Sequence, residues 1–127
     1  MKLGHIALYV DDLEAARRFF MDYFGARSND GYFNPGTGLR TYFLTFEGGS
    51  QLEIMNRPAL PDTGEKAFRA GYAHIAFQLE SRAAVDQLTA RLAADGYAVL
   101  SGPRVTGDGY YESCVAGVEG NVIEITA

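Results

Sequence analysis

A chain of 127 residues with 47% hydrophobic and 21% charged residues has an ordinary globular composition, which excludes an intrinsically disordered chain. The formal net charge of −5 disfavours a nucleic-acid partner, because phosphate binding needs a basic surface. The chain has one cysteine, Cys114, so it cannot form an intrachain disulfide, and no apolar run approaches the roughly 20 residues of a membrane helix. Acidic residues from Asp11 onward interrupt any signal peptide, so we predict a cytoplasmic protein without a membrane partner.

The first half of the chain predicts a strand, a helix and then about three more strands. Residues 3–10 form an apolar strand, and Asp11 or Asp12 caps the helix that follows, with residues 11–14 fitting a capping box. Apolar residues then recur at helical spacing until Gly25, which is placed to end the helix in a left-handed conformation. Turns rich in glycine at 34–38 and 47–49 separate the remaining strands.

The second half repeats this pattern. GHIALYV at residues 4–10 resembles AHIAFQL at 73–79, and LEIM at 52–55 resembles VIEIT at 122–126. His5 and His74 are 69 residues apart, and Glu53 and Glu124 are 71 apart. The second half therefore predicts a strand at 72–79, a helix at 82–95 and strands near 97–101, 110–116 and 121–126.

The repeat predicts an α+β protein made of two tandem βαβββ modules. We place module 1 at about 1–57, a polar linker with prolines at 58–70, and module 2 at about 71–127. A unit of this length cannot bury one face of its sheet alone, so both modules are expected to form a single domain.

Strand alternation isolates four ionisable residues. On the first and last strand of each module the aliphatic residues share one face, which leaves His5, Glu53, His74 and Glu124 on the other. A single histidine or glutamate in a strand is usually not a ligand, but these four occupy equivalent positions of a repeat. Two imidazoles and two carboxylates suit one divalent cation such as Ni²⁺, Zn²⁺, Co²⁺, Mn²⁺ or Fe²⁺.

With these motifs, HIALYVDDLEAARRFF and LEIM in one half and HIAFQLESRAAVDQL and GVEGNVIEIT in the other, the chain resembles the vicinal oxygen chelate superfamily, also called the glyoxalase/bleomycin-resistance/dioxygenase family. The resemblance implies curved mixed sheets that enclose a metal, with one ligand on the first and last strand of each module. Those positions are His5, Glu53, His74 and Glu124, the set typical of glyoxalase I and its close relatives.

The resemblance also implies a reaction class: a metal-dependent lyase or isomerase that acts on a small vicinally oxygenated substrate through a metal-stabilised enediolate. It implies Glu124 as the main base and Glu53 as a ligand or second base, both catalytic. Bacterial glyoxalase I enzymes usually carry an arginine for glutathione where this chain has Tyr9, so glutathione dependence is not implied. The resemblance further implies a homodimer, with the metal site either within one chain or shared between two.

Six other residues are predicted to line the substrate cavity, by strand parity or by their place in adjacent loops: Tyr9, Arg40, Tyr42, Gln78, Tyr110 and Tyr111. Arg40 suits a carboxylate or phosphate. Cys114 lies in an apolar strand and is interpreted as an inert core residue.

Three alternatives remain open. The first is a non-heme Fe(II) dioxygenase or a thiol transferase, whose relatives generally use two histidines and one carboxylate, so Glu53 disfavours it. An epimerase is the second, although that branch often has glutamine at the position of Glu53. The third is a metal-free protein that binds a drug or metabolite, as bleomycin-resistance proteins do, and such binders commonly lack the ligand set.

Overall fold

The computed structural model describes residues 4–58, 72, 74–107 and 109–127. The chain divides into two compact units, Met1–Asp62 and Thr63–Ala127, and each unit has one helix and one sheet. Within the described ranges, neither helix is long and apolar enough to cross a membrane.

Unit 1 carries a mixed sheet whose strand order brings the first and last strands together. Its elements are β1 (Ile6–Tyr9), α1 (Leu13–Phe24), β2 (Arg27–Ser28), β3 (Tyr32–Phe33), β4 (Arg40–Thr45) and β5 (Gln51–Asn56). The sheet order is β1-β5-β4-β2, and β3 also pairs with β4. β1 runs parallel to β5, and the other pairs are antiparallel. The first and last strands of the unit therefore lie side by side.

Unit 2 repeats this arrangement. Its elements are β6 (Ile75–Gln78), α2 (Arg82–Ala94), β7 (Val99–Val105), β8 (Tyr111–Ala116) and β9 (Val122–Thr126). The sheet order is β6-β9-β8-β7, with β6 parallel to β9. Register shifts interrupt the pairing of β7 with β8 between Val99 and Arg104.

The predicted α+β class with two tandem βαβββ modules is confirmed. The observed elements begin and end within a few residues of the predicted ones, except that unit 1 has two short strands, β2 and β3, before β4. The predicted linker at 58–70 lies outside the described residues apart from Pro58. That both modules form a single domain stays a prediction.

Helix α1 begins and ends at capping residues. Asp12 is the N-cap, and its Oδ1 accepts a hydrogen bond from the Ala15 backbone N–H at 2.8 Å. Gly25 ends the helix with φ +63°, as predicted. The predicted capping box at 11–14 is wrong, because with Asp12 as N-cap the third helical residue is Ala15, and Glu14 instead accepts a hydrogen bond from the Tyr42 hydroxyl.

One face of each sheet forms the core against its helix. In β5 the buried residues are Leu52 and Ile54, and in β9 they are Ile123 and Ile125. The residues between them, Glu53 and Glu124, are only partly buried and lie on the opposite face. We refer to this opposite face, which carries the glutamates, as the ligand face of each unit.

The core of unit 2 contains a buried polar pair. The Thr89 hydroxyl donates to the Val85 carbonyl at 2.7 Å, and the Thr89 and Ser113 hydroxyl oxygens are 2.6 Å apart. Because the Thr89 proton goes to the carbonyl, Ser113 is the donor to Thr89. The pair joins α2 to β8 through a hydrogen bond between two buried side chains.

We expect Thr89→Val to lower the free energy of unfolding by about 1–3 kcal/mol, because it leaves a buried Ser113 hydroxyl without a partner. Adding Ser113→Ala to this variant is expected to recover part of the loss, since both polar groups are then removed. Urea denaturation of the two variants and the wild type tests this order. A double variant less stable than Thr89→Val alone would contradict it.

Candidate metal centre

Unit 1 brings one predicted histidine and one predicted glutamate together. His5 directly precedes β1, and Glu53 lies in β5 beside Ala7 of β1. His5 Nε2 and Glu53 Oε2 are 3.6 Å apart, with the His5 side chain 46% exposed and the Glu53 side chain 17% exposed. The parallel pairing of the first and last strands therefore accounts for this contact.

Unit 2 builds the same pair in the same way. His74 directly precedes β6, and Glu124 of β9 lies beside Ala76 of β6. His74 Nε2 and Glu124 Oε2 are 3.4 Å apart, with side chains 42% and 19% exposed. Equivalent residues 69 to 71 positions apart in the sequence thus form the same histidine–glutamate contact in both units.

The donor set of each pair fits a divalent cation. Imidazole nitrogen and carboxylate oxygen each bind a borderline metal at about 2 Å, so ligands of one ion lie about 3–4 Å apart. Separations of 3.4 and 3.6 Å between nitrogen and oxygen match this requirement. Convergence of all four residues on one cation stays a prediction.

The third strand of each sheet makes the two units different. Phe43 of β4 is the cross-strand partner of Glu53, and Cys114 of β8 is the partner of Glu124. The Phe43 ring meets the His5 ring edge to face, with centroids 5.2 Å apart. Unit 1 therefore places an aromatic wall where unit 2 places a thiol.

Cys114 is not the fully buried core residue that the sequence predicted. It is only partly buried, and its Sγ and one oxygen each of Glu112 and Glu124 all lie within 4.8 Å of one another. Burial raises the pKa of the Cys114 thiol, the two carboxylates add to the rise, and a hydrogen bond with Ser101 and the charge of Arg104 oppose it. Cys114 is the cross-strand partner of Glu124, and cross-strand partners project from the same face of a sheet. A correct pairing of β8 with β9 would therefore have placed the thiol on the ligand face from the sequence alone.

A further polar group on this face is Thr126. Its Oγ1 atom is buried and has no hydrogen-bond partner in the part of the chain that the structure describes. Thr126 pairs with Gln78 on one side and with Glu112 on the other, and it lies two residues beyond Glu124. The ligand face of unit 2 thus carries a buried hydroxyl two residues beyond Glu124.

Two of the six predicted substrate residues lie on a ligand face within a strand. Tyr9 is two residues beyond Ala7 in β1 and is 44% exposed, and Gln78 is two residues beyond Ala76 in β6. Tyr110 precedes β8 with the parity of Glu112 and is 58% exposed. Substrate binding by these three residues stays a prediction.

Tyr42 and Tyr111 lie on the opposite, helix-packed face, contrary to the prediction. The Tyr42 hydroxyl donates to Glu14 of α1 at 2.6 Å, and the Tyr111 hydroxyl donates to Asp86 of α2 at 2.6 Å. These hydrogen bonds raise the pKa of both phenols, because each carboxylate favours the neutral donor. The two tyrosines join sheet to helix instead of lining the ligand face.

Arg40 also lies away from Glu53. Its guanidinium carbon sits 5.1 Å from the centre of the Phe33 ring, and its cross-strand partner is Asn56, which has the parity of the buried Ile54. Arg40 and Tyr42 line a cavity of about 700 Å³ beside the N-terminus of α1, together with Asp12. Glu53 does not line this cavity, and substrate binding by Arg40 stays a prediction.

Comparison with known families supports the resemblance inferred from the sequence. The model of the Glyoxalase/Bleomycin resistance protein/Dioxygenase superfamily matches residues 2–125. YqjT, an uncharacterized protein of Bacillus subtilis (strain 168), is 34% identical over 119 residues, which cover 86% of this chain and 85% of YqjT.

Solved structures share the fold over nearly the whole chain. A glyoxalase family protein from Bacillus cereus matches with a TM-score of 0.82 at 18% identity, covering 99% of this chain and 93% of that one. A mutant of the fosfomycin resistance protein FosX from Listeria monocytogenes, complexed with Mn(II) and 1S,2S-dihydroxypropylphosphonic acid, matches with a TM-score of 0.73 at 26% identity. That match covers 99% of this chain and 91% of the FosX chain.

Proposed function

Because the chain belongs to the glyoxalase/bleomycin resistance protein/dioxygenase superfamily, we propose that it is a metal-dependent lyase or isomerase of glyoxalase type. The observation that carries the proposal is the repeated pair of histidine and glutamate, 3.6 Å apart in unit 1 and 3.4 Å apart in unit 2. The substrate is a small molecule with oxygens on adjacent carbons.

In this proposal His5, Glu53, His74 and Glu124 hold one divalent cation. When bound, the cation supplies a Lewis acid that stabilises negative charge on the substrate oxygens. The arrangement requires one pair from each unit, and either one chain or two chains of a dimer can provide them. Assembly into a homodimer and location in the cytoplasm remain part of the proposal.

The two glutamates move the proton. Glu124 accepts a proton from one carbon of the substrate and returns it to the neighbouring carbon, as a general base and then a general acid. Its side chain is 19% exposed, so it is accessible from the ligand face but largely shielded from water. Glu53, which lies in unit 1, is proposed as a metal ligand and as the alternative base. Tyr9 and Gln78, on the ligand faces, are proposed to orient the substrate.

The proposal is tested by proton exchange. Protein stripped of metal with a chelator is reloaded with Ni²⁺, Zn²⁺, Co²⁺, Mn²⁺ or Fe²⁺ and given methylglyoxal with a panel of thiols in D₂O. We expect metal-dependent isomerisation of the adduct, followed by proton NMR, with deuterium entering the carbon-bound position only to the extent that the proton on Glu124 exchanges with solvent before it is returned. Tight metal binding without isomerisation or exchange for any adduct would contradict the assignment as a glyoxalase-type enzyme.

One comparison favours a second candidate, a metal-dependent resistance protein acting on a small phosphonate. The compound bound to the similar FosX structure has hydroxyls on adjacent carbons and a phosphonate group. Arg104 of β7 pairs across the strands with Glu112 on the ligand face of unit 2, and its side chain is 55% exposed, so it offers a cation for such a group. Consumption of fosfomycin by the Mn²⁺-loaded protein, followed by phosphorus NMR, would favour this candidate over the first.

A further inference from the structure

The ligand face of unit 2 contains a third donor beside the predicted pair. Cys114 faces Glu124 across β8 and β9, and its sulfur lies within 4.8 Å of a carboxylate oxygen of Glu124. Two ligands of one cation, bound at about 2.0–2.3 Å each, stand no more than about 4.6 Å apart. Sulfur and oxygen atoms within 4.8 Å of one another are therefore close to the spacing of two ligands on the same ion.

We propose that Cys114 is a ligand of the cation held by Glu124 when that cation is thiophilic. This inference rests on the proposed function and adds to it a basis for metal selection. Thiolate sulfur favours Zn²⁺ and Co²⁺, whereas Mn²⁺ prefers carboxylate and water oxygens. Cys114 thus gives Zn²⁺ an advantage over Mn²⁺ that an oxygen-and-nitrogen site lacks.

The comparison of the two units supports an assignment to this unit alone. In unit 1 the equivalent register position holds Phe43, and the position two residues before it is Thr41, where unit 2 has Glu112. The pairing of the strands is the same in both, so the difference lies in the side chains. Unit 1 therefore offers a histidine and a glutamate, and unit 2 offers these together with a thiol.

One neighbour of Cys114, Ser101, competes with metal binding, and a second, Glu112, offers a further oxygen donor. Ser101 is hydrogen-bonded to the thiol, and Glu112 lies within reach of the sulfur while its Oε1 is 4.0 Å from the Arg104 guanidinium. A cation that binds the sulfur releases the thiol proton to solvent and replaces the Ser101 contact with a metal–sulfur bond.

Co²⁺ provides the test, because a thiolate ligand gives a sulfur-to-metal charge-transfer band in the near ultraviolet that oxygen and nitrogen ligands do not. The protein is reduced with a phosphine, stripped of metal and titrated with Co²⁺ without added thiol. We expect the band to appear with one equivalent of Co²⁺. Since the chain contains a single cysteine, any such band arises from Cys114.

The matched variant is Cys114→Ser, which changes one atom, with far-ultraviolet circular dichroism as the check of folding. Losing even an indirect partner of a ligand costs about 10- to 100-fold in metal affinity, so we expect Zn²⁺ to bind at least about 10-fold more weakly. The affinity for Mn²⁺ is expected to change less than about 3-fold, because Mn²⁺ prefers oxygen ligands and gains little affinity from a thiolate.

The outcomes separate this inference from the proposed function. Co²⁺ binding with visible d–d bands but no charge-transfer band would overturn the assignment of Cys114 and leave the four-residue site intact. Equal losses of Zn²⁺ and Mn²⁺ affinity in Cys114→Ser would also overturn it, because the effect would then be structural. No Co²⁺ binding at all would overturn both proposals.

Discussion

Replacing Glu124 with glutamine is expected to lower the rate of metal-dependent isomerisation by about 10²- to 10⁴-fold, because an amide cannot accept the substrate proton. The variant keeps the size of the side chain and its place in β9. The rate is measured with saturating metal, and bound metal is determined separately, so that a loss of binding is not mistaken for a loss of proton transfer.

The matched control for this variant is Glu80→Gln, which makes the same chemical change at an exposed position of unit 2. We expect its rate to stay within about 2-fold of wild type, since a substitution away from the site leaves the proton transfer intact. Glu53→Gln is expected to reduce the rate less than Glu124→Gln does. The reverse order would assign the base to Glu53, and full activity in both variants would contradict proton transfer by either glutamate.

Phe20→Ala is expected to lower the free energy of unfolding by about 3–5 kcal/mol, because it opens a cavity in the core of unit 1. The Phe20 side chain is 0% exposed, and its ring contacts those of Phe19, Phe24 and Phe46 with centroids 5.3, 6.1 and 6.3 Å away. Urea denaturation followed by far-ultraviolet circular dichroism measures the change, with a chelator present so that metal binding adds no stability.

Met21→Ala is the control, because Met21 is the next residue of α1 and is 39% exposed. We expect this variant to cost less than about 1 kcal/mol, since its side chain leaves little cavity behind. A loss of the same size in both variants would contradict a core centred on Phe20.

The repeat explains why the site pairs could be predicted from sequence. His5 and His74, and likewise Glu53 and Glu124, hold matching positions in two similar segments, and alternation assigns each residue to one face of its strand. The structure then places each histidine against the glutamate of its own unit at 3.6 and 3.4 Å. Parallel pairing of the first and last strands, which follows from the βαβββ order, makes these contacts.

The tyrosines were not predictable in the same way. A strand such as β4 carries Tyr42, Phe43 and Leu44 in sequence, so apolar residues occupy both faces and the pattern does not say which face is buried. A shift of one residue in the interpretation exchanges the faces, and it places Tyr42 beside Glu53 instead of beside α1. The hydrogen bond between Tyr42 and Glu14, 28 residues apart, decides the question only in three dimensions.

Cys114 was missed for a different reason. A lone cysteine followed by Val115 and Ala116 has the pattern of a core residue, and its surroundings depend on which residue of β9 lies opposite. The N-terminal capping box failed because the pattern allowed either Asp11 or Asp12, and the choice shifts every later helical position by one.

The most direct test of the account is the metal stoichiometry of freshly purified protein, measured by elemental analysis and then by calorimetric titration of the chelator-treated protein with Zn²⁺ or Ni²⁺. The account predicts one divalent ion per chain, and it predicts that His5→Ala and His74→Ala each abolish tight binding. Two independent ions per chain, or binding that survives loss of either histidine, would contradict a single centre built from both units.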